Sequence, residues 1–287
     1  MDYKRKIDFA IKLLRSIPQD GPIELSYSGG KDSDVIMELA KMAGIPFEAI
    51  YKNTTIDPPG TVAHCKAVGA TIIRPKLSFL QLIEKKGMPS RWKRFCCEVL
   101  KEYKIHDRAI QGIRREESTK RAAKYKEPEI CRVYPNKDKV RVYLPILEWT
   151  LEEVARFIDE RGIRCASNYY DGQGNFHPER RLGCIGCPLR SDRGVAELRK
   201  YPKLALAMIS AYQRHLDNHR NSDYWQKIEG DACNGFYYGH FCSSGEEYDL
   251  KTDGGLFPEM DVSPRTFLEN YFGIDLSGVR PTIGGNL

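Results

Sequence analysis

No stretch of this 287-residue chain approaches the roughly 18 consecutive apolar residues that a membrane-spanning helix needs, so it offers no transmembrane candidate. The charged N-terminus, Met1-Asp-Tyr-Lys-Arg-Lys-Ile7, is not followed by the apolar segment of a secretory leader; Ile7 to Ile17 instead has amphipathic helical spacing. The expectation is a cytoplasmic protein with no membrane partner. Internal repeats and low-complexity stretches are also absent, which excludes a repeat array or a tract-like disordered domain. Neither charge sign is in large excess. The net charge of +6 suits a polyanionic ligand such as a nucleotide, and alone says little about nucleic acid. A Walker A loop is missing as well: G-x-x-x-x-G-K-[ST] would need Gly at position 25 and Ser or Thr at 32, where Leu25 and Asp32 stand.

What is present is an ordinary globular balance, 41% hydrophobic and 29% charged, over a length that can bury a full core. Helical and strand patterns alternate through the first part of the chain. Ile7, Ala10, Ile11, Leu14 and Ile17 recur at helical spacing, and Ile23–Tyr27, Phe47–Tyr51, Thr71–Ile73 and Ala109–Ile113 read as strands. A helix from Ser78 to Lys86 stops at Gly87, and Thr150 with Glu153 forms a capping box for a helix that ends at Gly162. Cys131 to Leu144 reads as a β-hairpin inserted late. Such alternation predicts an α/β fold, a doubly wound and mostly parallel sheet with ligands at the carboxyl ends of its strands. Beyond Cys187 the pattern changes to one long helix, Val195 to His219, then an aromatic and Gly-rich tail to Leu287. The expected division is a nucleotide-binding domain over 1–190 and a helical, irregular extension over 191–287.

Ser28-Gly29-Gly30-Lys31-Asp32-Ser33 lies between the strand Ile23–Tyr27 and the helical Val35–Ala40. Two glycines let the turn tighten and let backbone N–H groups approach an anion. The helix start adds unpaired donors and partial positive charge. Ser28 and Ser33 supply hydroxyls and Lys31 a point charge. The alternative is a purely structural glycine turn.

The nine cysteines include an adjacent pair, Cys96-Cys97, and a C-x-x-C, Cys184-Ile-Gly-Cys187. Four thiolates suit tetrahedral zinc or an iron–sulfur cluster, and the directly adjacent pair tilts the choice toward the cluster. Arg91, Lys93, Arg94, Arg180 and Arg181 flank these positions and can offset the net charge of such a centre. A redox dithiol at Cys184 and Cys187, or buried packing cysteines, are the other readings.

The hexapeptide Ser28–Ser33 resembles the PP-loop, S-G-G-x-D-S, of the ATP pyrophosphatases. From Ile23 to about Arg190 the chain is similar to the phosphoadenosine phosphosulfate (PAPS) reductase family of that superfamily. Gly112-Ile-Arg-Arg-Glu-Glu-Ser118 with Arg121 resembles its G-x-R-x-x-x-S-x-x-R substrate loop, which implies that Gly112, Arg114, Arg115, Ser118 and Arg121 bind the nucleotide, the arginines gripping its phosphate or sulfate end. These cations otherwise read as a solvated helix face. Asn53-Thr54, opening Asn53–Thr61, stands where relatives carry D-T-G-x-x-F-P-E-T facing the nucleotide; Leu144–Trp149 and Tyr169–Gly174 match further family stretches. A Cys-Cys pair and a C-x-x-C some eighty residues later hold a [4Fe–4S] cluster in one branch; here 86 residues separate Cys97 from Cys184.

Two departures shape the functional expectation. Sulfonucleotide reductases usually degrade the loop, whereas here it is complete. They also attack with a cysteine in E-C-G-[LI]-H, which this chain lacks; its late cysteines are Cys233 and Cys242, with His240 beside the latter. The favoured reading is an enzyme that splits ATP to AMP and pyrophosphate, adenylating an acceptor for sulfur transfer. Ser28, Gly29, Gly30 and Ser33 would hold pyrophosphate, Lys31 would neutralise the leaving group, and Asp32 or Asp34 would take Mg²⁺. The intact loop with cluster-like cysteines also resembles the PP-loop proteins of DNA phosphorothioation and tRNA thiolation. Candidate partners are therefore a tRNA or DNA acceptor, a sulfur donor, and a second copy in a homodimer. The first alternative is a sulfonucleotide reductase with Cys242 or Cys233 as catalytic thiol and a thioredoxin-like reductant. The second is a non-catalytic nucleotide and iron–sulfur module that binds nucleic acid.

Overall fold

The computed structural model describes residues 2–220, 222–242 and 262–281. In chain order the elements begin α1 (Tyr3–Arg15), β1 (Glu24–Tyr27), α2 (Lys31–Ala43), β2 (Glu48–Lys52), α3 (Thr61–Ala67) and β3 (Thr71–Ile73). Next come α4 (Phe79–Lys86), α5 (Phe95–Leu100), β4 (Arg108–Ile110), α6 (Thr119–Lys124), β5 (Glu129–Tyr134), β6 (Lys137–Tyr143) and α7 (Leu151–Glu160). The rest is helical: α8 (Val195–Leu198), α9 (Pro202–Asp217), α10 (Asp223–Lys227), α11 (Ala232–His240) and α12 (Pro264–Phe272). Among the described residues no helix is long and apolar enough to cross a membrane.

Compactness divides the chain into two units, Met1–Pro75 with Cys97–Gly183, and Lys76–Cys96 with Cys184–Leu287. This differs from a linear cut after residue 190. The reason is α4, which packs against α9 and so belongs with the C-terminal helices.

The first unit is a six-stranded sheet in the order β3-β2-β1-β4-β6-β5, parallel except for the edge strand β5. Side chains alternate across β1, so Leu25 and Tyr27 face one side and Glu24 and Ser26 the other, all but Ser26 buried. Val35, Ile36, Leu39 and Ala40 of α2 are fully buried beneath the sheet's apolar surface. Trp149 meets Tyr3 and Phe157 edge-on, closing the core where α1 and α7 begin. The Thr150–Glu153 capping box forms as expected, and Gly162 sits at φ +61° just past α7.

Two expectations for this unit change. The strand at Ala109–Ile113 ends at Ile110, because the chain then bends at Gly112 against α2; a Cβ on Gly112 would stand 2.9 Å from the Asp32 carbonyl oxygen. The hairpin is no late insert: β6 pairs in parallel with β4 as an interior strand, its Val140 and Val142 fully buried.

The second unit is helical. Its predicted long helix, Val195 to His219, is broken into α8 and α9. Pro202 opens α9, where its missing N–H costs nothing, and holds Tyr201 out of the helical region at φ −129°, ψ 63°. Arg214 of α9 pairs with Glu84 of α4 at 2.6 Å, and His215 Nδ1 meets the Glu84 carbonyl at 3.1 Å. Phe241 stands edge-on to Phe267 and Tyr271, so the aromatic character read after Cys187 makes a core around α11 and α12. Residues 243–261 and 282–287 of the Gly-rich tail lie outside the described residues.

Candidate nucleotide-binding site

The loop between β1 and α2 has the form its glycines predict. Gly29 sits at φ +75°, where a Cβ would come 2.9 Å from Thr61 Cγ2 and 3.2 Å from Cys65 Sγ. Gly30 is extended and is the N-cap of α2. A Cβ there would meet Ser28 Oγ and the Tyr169 hydroxyl at 3.3 Å. The hydroxyls fasten the turn: Ser33 Oγ donates to the Gly30 carbonyl at 2.6 Å, and Ser28 Oγ accepts from Gly30 N–H while donating to Ser33 Oγ. Tyr169 contributes from a distant loop, its hydroxyl accepting from Lys31 N–H at 3.2 Å. The outcome is a rigid concave turn at the positive end of a 13-residue helix.

Ser28, Gly30, Lys31, Asp32 and Ser33 line a cavity of about 660 Å³ together with Gly112, Arg114, Arg121 and Arg181. That volume falls in the range, roughly 300–1,000 Å³, of small-molecule sites. Arg114 is 4% exposed. Its Nε donates to Asp32 Oδ1 and its Nη1 to Glu116 Oε2, each at 2.7 Å, while Lys31 Nζ reaches Asp32 Oδ2 at 3.0 Å. Asp32 is thus a brace that holds Lys31 and Arg114 side by side. Arg121 pairs with Glu117. Burial, and then the positive charge of Arg181, hold the Arg121 guanidinium below its ordinary pKa, an environment that an anion would relieve.

Other predicted residues fall elsewhere. Arg115 turns away, its Nε donating to the Tyr125 carbonyl and its Nη1 pairing with Glu148. Ser118 caps α6 by accepting from Arg121 N–H. Asn53 accepts from Thr55 N–H and Thr54 N–H donates to Asp57; both shape the turn after β2 and neither lines the cavity. Asp34 is 5% exposed and bonded to Tyr27 and His64 beneath the loop, so Asp32 alone of the two carboxylates faces the cavity. Tyr169, Lys101, Gln111 and Arg181 line it without having been assigned to it from sequence. The aromatic and glycine stretch Tyr169–Gly174, which resembles one in relatives, is a signal for the first. In the sequence, Arg181 reads as charge balance for the cysteines.

A second feature that the sequence reading does not name lies on the Ser26 face of β1. Glu24, fully buried, accepts from Lys52 Nζ and Lys104 Nζ at 3.0 Å each and from Ile105 N–H at 2.8 Å. Lys104 also donates to Ser26 Oγ, which lines the cavity. Burial alone would push the Glu24 carboxyl up, but Lys104, Lys52 and the Ile105 N–H outweigh it and hold the pKa at about 2. The signal was a lone glutamate inside the apolar run Ile23–Tyr27.

Cys96 and Cys97 sit in α5, and Cys184 and Cys187 bracket a turn with Gly186 at φ +69°. All four are half-buried. Gly194 passes so close to this turn that a Cβ would lie 2.6 Å from Cys187 N. Arg91 Nη2 donates to the carbonyls of Arg190 and Ser191, and its Nε to that of Pro188, lacing the run before Cys96 to the run after Cys187. Cys97 belongs to the first unit and the other three to the second. Among the described residues no three His, Cys, Asp or Glu side chains are gathered as for a metal ion. Cys233 is fully buried, and burial pushes its thiol up to about 12. Cys242 is 7% exposed. His240 stacks on Phe236 at 4.1 Å and shares a hydrogen bond with the Phe236 carbonyl; burial lowers its pKa to about 4, so it is neutral and brings no positive charge to activate Cys242.

Residues 22–190 match the sequence profile of the phosphoadenosine phosphosulfate reductase domain, which covers more than half of the chain. The chain belongs to this family. An uncharacterized protein of Methanocaldococcus jannaschii is 27% identical over 207 residues, 67% of this chain and 48% of that one. An uncharacterized protein of Escherichia phage 186 is 30% identical over 151 residues, 47% of this chain and 42% of that one. The match therefore spans less than half the length of either relative. Among solved structures, the Candida auris PAPS reductase in its phosphate complex is similar at TM-score 0.39 and 17% identity, covering 57% of this chain and 87% of that one. The six-stranded, mostly parallel sheet lies wholly within the matched residues.

Proposed function

We propose that the first unit binds ATP at Ser28–Ser33 and splits it between the α- and β-phosphates. An acceptor oxygen attacks the α-phosphorus, the bond to the bridging oxygen breaks, and pyrophosphate leaves; a sulfur nucleophile then displaces AMP from the adenylated acceptor. The observation that supports this reading is the complete glycine turn at the start of α2, opening into a cavity with Lys31, Arg121 and Arg181 on its walls. Backbone donors of the turn would take the pyrophosphate oxygens, and Lys31, now on Asp32, would neutralise charge developing on the leaving group. Asp32, freed by that movement, would face the Mg²⁺ that accompanies ATP as substrate.

Cys96, Cys97, Cys184 and Cys187 are proposed as ligands of a [4Fe–4S] cluster, with zinc the alternative. The donors are thiols alone, and the Gly186 turn with its Arg91 lacing is the kind of tight backbone that presents a C-x-x-C to one centre. Such a cluster, when bound, supplies a sulfur or electron relay or a brace for the fold.

The family match favours one other reading, release of sulfite from a sulfonucleotide by Cys242 or Cys233. Both thiols are buried, and His240 is neutral. Product analysis of Cys233→Ser and Cys242→Ser separates the two. Pyrophosphate release from ATP should survive both changes, since adenylation requires no thiol. Loss of sulfite release with one thiol, and no pyrophosphate from ATP, would install the reductase.

A further inference from the structure

Among the described residues Trp92 is 91% exposed, whereas the next most exposed aromatic residues, Tyr224 and Phe9, are 46% and 39% exposed. An indole carries a large apolar surface, and leaving all of it in water forgoes the stabilisation its burial would bring. The backbone beneath it is nonetheless well fastened. Ser90 Oγ accepts from Trp92 N–H at 3.2 Å and Lys93 N–H at 3.0 Å, and Ser90 N–H donates to the Lys93 carbonyl. Arg91 then ties the turn to the carbonyls of Pro188, Arg190 and Ser191. The ring is held outward at the tip of a built turn.

Its surroundings are cationic. From Lys85 to Arg94 the chain carries Lys85, Lys86, Arg91, Lys93 and Arg94 and no acidic residue. Lys85 and Lys86 are exposed at the end of α4, and Lys93 is exposed beside the indole. A flat exposed ring with cationic residues before and after it along the chain meets the two demands of an unpaired nucleotide strand, a face for the base and charge for the phosphates. Its immediate neighbours in the turn, Ser90, Arg91, Lys93 and Arg94, are polar or cationic, which favours a phosphate-bearing partner. A duplex hides its base faces in the stack.

We infer that the Ser90–Lys93 turn is a docking site for single-stranded nucleic acid, with Trp92 as stacking platform and Lys85, Lys86 and Lys93 as phosphate contacts. That this strand is the acceptor of AMP rests on the function proposed above; the binding itself does not, and it is measured without ATP. Fluorescence anisotropy of labelled twelve-nucleotide oligo-U and oligo-dT, and of a blunt duplex, is followed against the full chain at several salt concentrations. The wild type should bind the single strands more tightly than the duplex. Trp92→Ala should weaken single-strand binding about fivefold to a hundredfold with the salt slope unchanged, and Trp92→Phe should restore most of it. Lys85→Ala with Lys93→Ala should lower the slope of log affinity against log salt by about 1.4. Lys31→Ala should bind the strand as the wild type does, so that failure of the ATP reading and failure of this one are separable. Wild-type protein that ignores single strands, equal affinity of Trp92→Ala, or equal affinity for duplex would each overturn the assignment.

Discussion

The two loop glycines do different work, and substituting them separately should show it. Gly29 is at φ +75°, a conformation that costs an L-residue about 1–2 kcal/mol. An added methyl would also stand 2.9 Å from Thr61 Cγ2 and 3.2 Å from Cys65 Sγ, an overpacking worth about 1–3 kcal/mol more. Gly29→Ala should therefore lose about 2–5 kcal/mol of stability, a large part of what an ordinary domain has. Gly30 is extended, and an added Cβ would meet only two hydroxyl oxygens, at 3.3 Å, which can give way by the few tenths of an ångström needed. Gly30→Ala should keep its fold within about 1 kcal/mol. Its methyl faces the cavity, however, and would displace an anion from one or two backbone donors. Losing one such charge-assisted bond, at about 1.5–3 kcal/mol, should weaken ATP binding roughly tenfold to a hundredfold, and losing two should weaken it further. Urea titration followed by circular dichroism reads the first quantity and isothermal calorimetry with ATP the second. A Gly29→Ala protein as stable as wild type, or a Gly30→Ala protein that binds ATP equally well, would refute this account of the loop.

Arg114→Met should cost about 1–3 kcal/mol, because Asp32 loses its partner in the cavity wall while half-exposed Glu116 can turn to water, and Arg114→Lys should recover only part, since an ammonium lacks the Nε–Nη1 fork that reaches both carboxylates; thermal unfolding of the two variants checks this. Glu24 has a folded pKa of about 2 against an ordinary 4.5, so its stabilisation, about 3 kcal/mol, is complete above pH 4.5 and disappears as the pH falls toward 2. The urea midpoint should fall across that window, and Glu24→Gln should remove this part of the pH dependence while lowering stability at pH 7. Anaerobically purified protein should be brown, absorb near ~400 nm and contain about four irons per chain, and Cys184→Ser should lose them together with much stability; colourless protein with one zinc would reassign the same thiols to a structural site.

The parts that were legible in the sequence are those governed by local rules. Glycine at a strand–helix turn, the Thr150 capping box and the β/α alternation each depend on a few neighbouring residues, and each is found where expected. What escaped depends on distant partners. Nothing near Arg114 and Arg115 tells which guanidinium turns inward; Asp32 and Glu148, far along the chain, decide it. Tyr169 caps α2 across 138 positions, and Glu24 finds Lys104 across 80. The break at Pro202 was readable, since proline rarely continues a helix, but the apolar spacing on both sides concealed it. Segment 76–96 joins the second unit through the α4–α9 contact, which no change of composition marks.

The central claim is that the intact loop splits ATP between its α- and β-phosphates. The measurement that meets it most directly is quantification of AMP and pyrophosphate after incubating the full chain with ATP and Mg²⁺, alone and with single-stranded RNA or DNA, beside parallel incubations with adenylyl sulfate and PAPS. The account predicts pyrophosphate from ATP in amounts that Lys31→Ala reduces at least tenfold, and no sulfite from either sulfonucleotide. Sulfite from adenylyl sulfate or PAPS with a thiol reductant, and no pyrophosphate from ATP under any of these conditions, would contradict it.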